Sequence, residues 1–75
     1  MTKTVKVYGE YIQLNQLLKL QNIAMSGGHA REMIEQGLVK VNGVVEDKIR
    51  KKIRNNDKVE VGKVCLIVET EAIQA

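Results

Sequence analysis

The chain has no Trp, no Phe and no Pro, one Cys, one His and two Tyr. Each shortage excludes something. Without Trp or Phe the core must be aliphatic, built from Leu, Ile, Val and Met. A single Cys65 cannot close an internal disulfide or furnish a cysteine-based zinc site. It lies in the apolar run VCLIV, which predicts a buried, inert thiol. The lone His29 has no nearby Cys and no motif pairing it with a Ser nucleophile, so its expected role is a hydrogen bond in a first helical turn. The sequence lacks a glycine-rich loop followed by Lys-Ser/Thr, which excludes the common nucleotide-binding loop. Glu32 and Glu35 are spaced along one helix without a shared pocket. These absences leave no catalytic constellation, so an enzyme, a cofactor, a metal and a small-molecule substrate are not expected. No apolar run reaches membrane-spanning length, and the N-terminal MTKTVKVYG has no signal-like apolar core. The expectation is a cytoplasmic protein without membrane partners.

What is present suits one small domain over residues 1–75. Hydrophobic residues make up 44%, enough for one core, although a chain this short hides a modest fraction of its surface and has a thin stability margin. Twelve Lys and Arg against nine Asp and Glu give a net charge of +3. That is mildly basic and permits an acidic partner.

The centre of the chain is Ser26 to Gly43. Ser26 is a candidate N-cap. Ala30, Met33 and Ile34 share a helical face, Gly37 suits a left-handed helix stop, and Val39 and Val41 alternate with Lys40 in a strand. Asn42-Gly43 is a strong two-residue hairpin signal. Gly27 and Gly28 leave the first N–H groups of the helix uncovered by side chains, the layout of an anion site; they equally suit a close corner between two helices. Arg31 can pair with Glu35 four residues on.

Before this unit, residues 4–8 alternate as a short edge strand. Asn15 is the expected N-cap of a first helix with a stripe of Leu14, Leu17, Leu18 and Leu20. Lys19 near its end suits the helix dipole, and Asn22 stops it. Ile23 and Met25 are expected to plug the corner. After the hairpin comes KIRKKIR, residues 48–54, in which Ile49 and Ile53 tether a run of cations that no acid interrupts. Asn55-Asn56-Asp57 reads as a turn, Val59 and Val61 as a strand, Gly62-Lys63 as a hairpin turn, 64–69 as the last strand with Cys65 and Ile67 on one face, and 70–75 as a frayed tail.

The cations Lys19, Arg31, Lys40, Lys48, Arg50, Lys51 and Lys52 are the candidate phosphate-binding set; such binding weakens with salt. Tyr8 and Tyr11 are too few for a base-stacking sheet, which favours recognition of backbone and shape. No helix carries a row of base-reading Arg, Asn or Gln side chains, which disfavours DNA. An acidic protein partner could use the same patch.

The stretch LNQLLKLQNIAMSGGHAREMIEQGLVKVNGVVEDKIRKKIRNNDKVEV resembles the S4-type RNA-binding domain. The shared pattern is a Leu-rich first helix, Ser before a second helix with Ala-Arg, Gly-x-Val-x-Val-Asn-Gly, a basic segment, and Asp before the last hairpin. Leu-Leu-Lys-Leu and Ser-Gly-Gly resemble the short, stand-alone bacterial branch. The resemblance covers about residues 14–61 and the last strand. It implies an α+β fold of the αL-motif type: two short helices packed on a small, mostly antiparallel sheet. It further implies non-enzymatic docking on structured RNA, ribosomal or transfer, through the helix pair and the adjoining hairpin. By position it singles out Lys19, Ser26, Arg31, Lys40, Asn42, Lys48, Arg50, Lys51 and Lys52. Gly27 stands where Arg is common in larger members, so the N–H groups of Gly27 and Gly28 are expected to take over that contact. Ile49 stands where a second basic residue is common, and Asn56 replaces the usual Gly before Asp57.

Overall fold

The architecture comes from a computed structural model, which describes residues 2–71. In chain order the elements are β1 (Thr2–Tyr8), β2 (Ile12–Gln13), α1 (Leu14–Leu20), α2 (Gly27–Glu35), β3 (Val39–Val41), β4 (Val44–Val45), β5 (Lys52–Ile53), β6 (Lys58–Val61) and β7 (Val64–Glu71). One sheet has the order β1-β7-β6-β3-β4, and β2 pairs with β5 in a separate two-stranded ribbon. Among the described residues β1 and β7 run parallel and the other pairs antiparallel. The fold is α+β, with two short helices on a mostly antiparallel sheet.

Alternation along the strands sends one side chain in two to the helix side. Val5, Val39, Val41, Val59, Leu66 and Val68 are buried there, against Leu14, Leu17, Leu18, Ala30 and Ile34 of the helices. Among the described residues, all thirteen buried side chains are apolar and none is aromatic. A fully buried Leu contributes on the order of 1.5–3 kcal/mol, so each of the three buried Leu of α1 is a sizeable share of this small core.

Both helices end in the same way. Asn22 (φ 59°) and Gly37 (φ 77°) take the left-handed conformation just past the ends of α1 and α2. Ile23 N–H then donates to Leu18 O, and Leu38 N–H to Met33 O, with the inner bonds from Asn22 to Lys19 and from Gly37 to Ile34. These paired bonds satisfy the last carbonyls of each helix. At the hairpin, Asn42 (φ 53°) and Gly43 (φ 85°) both have positive φ, the geometry that matches the twist of paired strands.

Several expectations are corrected. Asn15 is not the N-cap of α1; Gln13 is, and its side chain makes no capping bond. The reason is tertiary. The N–H groups of Leu14 and Asn15 donate to the carbonyls of Lys51 (2.8 Å) and Ile49 (3.1 Å), so the basic segment caps the helix with its own backbone. Leu20 is 57% exposed and Met25 92%, so neither joins the core. Ala24 is buried in place of Met25, and Ile23 packs against the core as expected. Cys65 is half-buried rather than buried, because Leu66 and Val68 hold the inward positions of β7. That strand continues through Thr70 and Glu71, which pair with Val7 and Tyr8 of β1, so these two residues are not a tail. The rest of the expected tail, residues 72–75, lies outside the described residues. The ribbon of β2 and β5 was not expected at all.

Candidate nucleic-acid interface

Ser26 sits just before α2, and its Oγ accepts from the N–H of His29 (3.1 Å). His29 returns a bond: its Nδ1 accepts from Met25 N–H (3.0 Å). Two N–H groups at the helix start are thereby satisfied by side chains, which fixes the corner between the helices. Among the described residues, the N–H groups of Gly27 and Gly28 have no acceptor. They carry the positive end of the α2 dipole.

Both glycines are exposed. A Cβ added at Gly27 would meet nothing within 4 Å, and one at Gly28 only Ser26 Oγ at 3.9 Å. Neither position has a positive φ. Close packing of the two helices therefore does not require glycine at either place. What the glycines do is leave the floor of a concavity open. That concavity, of about 470 Å³, is lined by Asn15, Gly27, Gly28, Arg31, Ile49 and Arg50.

Three elements meet at this place. The first turn of α1 supplies Asn15, whose buried side-chain oxygen finds no donor among the described residues. The start of α2 supplies the glycines and Arg31. The basic segment supplies Ile49 and Arg50. The bonds that cap α1 with the carbonyls of residues 49 and 51 hold the segment against the helices, and Ile53, fully buried, anchors its far end. Arg31 Nε donates to Glu35 Oε1 at 3.1 Å, with both side chains more than half exposed. An exposed pair of this kind contributes only about 0.3–0.5 kcal/mol, so an incoming phosphate can take the guanidinium over at small cost. Among the described residues, no ion pair engages Lys48, Arg50, Lys51 or Lys52.

The remaining expected residues are placed elsewhere. Lys19 lines a shallow, largely apolar groove with Ile12, Gln16 and Leu20. Lys40 faces Glu60 across the β3–β6 pair, and the two line a third concavity with Gly37, Leu38 and Gly62. The amide of Asn42 is occupied: Nδ2 donates to Asp57 Oδ1 (3.0 Å) and Oδ1 accepts from Lys58 N–H (2.9 Å). Asp57 Oδ2 also accepts from Arg54 N–H (2.7 Å), which locks the 54–57 turn onto the hairpin. Lys52 leans over the ring of Tyr11, with Nζ 4.8 Å from its centroid. Sequence reasoning missed Asn15 and Ile49 as lining residues. The signal was indirect: Asn15 lies in the first turn of a helix whose cap comes from residues more than thirty positions away.

A helix start equivalent to about half a positive charge, beside two guanidinium side chains and open to solvent, suits a phosphodiester oxygen. No helix of the described residues is long and apolar enough to cross a membrane. In comparisons with known proteins, a family model described as the S4 domain matches residues 5–69, which bears out the resemblance seen in the sequence. No curated protein matches the chain.

Proposed function

This chain belongs to the S4 domain family, a family of RNA-binding domains, and from that premise we propose that it docks on structured RNA, ribosomal or transfer, as a non-enzymatic protein of the bacterial cytoplasm. The whole of residues 1–75 acts as one S4-type domain, with the two helices and the basic segment forming the αL-type binding unit. Gly27, Gly28, Arg31 and Arg50 hold a backbone phosphate in the concavity. Lys48, Lys51 and Lys52 extend the contact along the same segment, Ser26 fixes the start of α2, Lys19 and Lys40 add phosphate contacts away from the concavity, and Asn42 holds the hairpin to the 54–57 turn. The single observation that carries this reading is the pair of glycines that packing does not need, beside two arginines at a helix start.

Such a face reads phosphate positions and not base edges, which matches a folded RNA whose shape fixes those positions. Filter binding to ribosomal and transfer RNA across a salt series tests it. About four phosphate contacts give a log–log salt slope of roughly −3. Changing Lys51 and Lys52 together to Glu should weaken binding to every RNA alike. Absence of affinity for either RNA class at low salt would overturn the reading, and unchanged affinity in the double variant would remove those two lysines from the face.

A further inference from the structure

We propose that the outer side of the β2–β5 ribbon takes one unpaired nucleotide of the bound RNA, its base stacked on Tyr11 and its phosphate held by Lys52 and Arg54. This rests on the RNA-binding reading above and adds a contact that the glycine–arginine concavity does not make.

The ribbon has two unlike sides. Ile12 pairs with Ile53; Ile53 is fully buried and Ile12 packs against the core. Strand alternation then turns Tyr11, Gln13, Lys52 and Arg54 to the opposite side. There Lys52 Nζ lies 4.8 Å and Arg54 Cζ 5.8 Å from the centre of the Tyr11 ring. Tyr11 keeps 38% of its surface exposed. Among the described residues, neither cation has a carboxylate partner. Two unpaired cations thus hold one accessible ring in place.

A nucleotide offers both groups what they lack. Its base presents a π-face to the ring and its phosphate presents charge to the cations. Base stacking on an aromatic side chain offsets the two exposed cation–π contacts it displaces, and the released cations gain the phosphate. One isolated ring accommodates one base, and a base inside a duplex has both faces covered by its neighbours. The contact therefore selects RNA with an unpaired position next to a helical stretch.

The chain has no Trp and only two Tyr, so a Tyr8→Phe variant reports Tyr11 by its emission alone. We would titrate it with a stem–loop RNA and with a fully paired duplex of the same stem. Tyr11 emission should fall with the stem–loop and hold steady with the duplex. Tyr11→Leu should weaken stem–loop binding roughly tenfold and leave duplex binding unchanged, and Tyr11→Phe should bind as the parent chain does. Equal emission change with both RNAs, or full stem–loop affinity in Tyr11→Leu, overturns the inference. If the parent chain binds neither RNA, the underlying RNA-binding reading fails with it. If both RNAs bind without regard to Tyr11, only the base contact is lost.

Discussion

Gly28→Ala separates a structural from a functional role for the start of α2, because the two roles predict opposite signs. Alanine is favoured over glycine by about 1 kcal/mol in a helix interior; in the first turn, where hydrogen bonds are missing anyway, roughly half of that is a fair figure. The new methyl would sit 3.9 Å from Ser26 Oγ, an ordinary contact, and the backbone there has no positive φ. Nothing offsets the gain. For a domain of this size about 0.5 kcal/mol raises the melting midpoint by roughly 2–4 °C. RNA binding should move the other way. The methyl enters the concavity between Arg31 and Arg50 and holds a phosphate off the free N–H groups. Losing one charge-assisted hydrogen bond costs about 1.5–3 kcal/mol, or at least about tenfold in affinity. The salt slope should stay as it was, because no cation has been removed. Thermal melting by circular dichroism and filter binding at several salt concentrations measure all three quantities. A lower melting point would mean that the helices need glycine at their corner. Unchanged RNA affinity would mean that no phosphate reaches these N–H groups. Gly37→Ala serves as the control: at φ +77° an added Cβ costs about 1–2 kcal/mol, so it should lower the midpoint.

Two further expectations concern the frame around the site. Asn42→Gly keeps the positive φ available but loses the bonds to Asp57 and Lys58; at about 0.5–1 kcal/mol each for exposed bonds, the midpoint should fall by roughly 4–16 °C, while RNA affinity measured well below the melting range stays within about twofold. A large loss of affinity with an unmoved midpoint would instead make Asn42 a direct contact. At the other edge of the sheet, the hydrogen bond from Lys6 to Glu71, and then the charge of Glu71, raise the lysine above its ordinary value of 10.5. A raised folded-state value gives stability that is fully present below the unfolded value and lost as pH climbs through the folded one. The difference in melting midpoint between the parent chain and Glu71→Gln should therefore hold up to about pH 10 and shrink above it; a difference that is flat through the alkaline range would show that the pair does not act.

Local grammar made much of this protein legible before its fold. The cap at Ser26, the stop at Gly37, the Asn42-Gly43 hairpin and the alternation around Val39–Val41 and Val59–Val61 all depend on residues within a few positions of each other. Their backbone preferences and apolar periods act at that range. The same local signals placed Arg31 beside Glu35 and identified the glycine pair as an open helix start. Family membership followed from the joint spacing of these pieces.

Long-range closure decided the rest. The carbonyls of residues 49 and 51 replace a side-chain cap on α1, and no pattern inside the helix could announce that. β2 and β5 are two residues each, too short for any period to register, yet their pairing brings Tyr11 under Lys52 and Arg54. β1 and β7 stand at opposite ends of the chain, and only their parallel pairing carries the strand through Thr70 and Glu71. Charge along the sequence told how many cations there are; packing determined which of them share a surface. Arg31 and Arg50 meet because a buried Ile53 and two backbone bonds hold the basic segment against the helices, whereas Lys40 is turned toward Glu60. A side chain's own chemistry is written in the sequence, but its neighbours are chosen by where the apolar residues find a common interior.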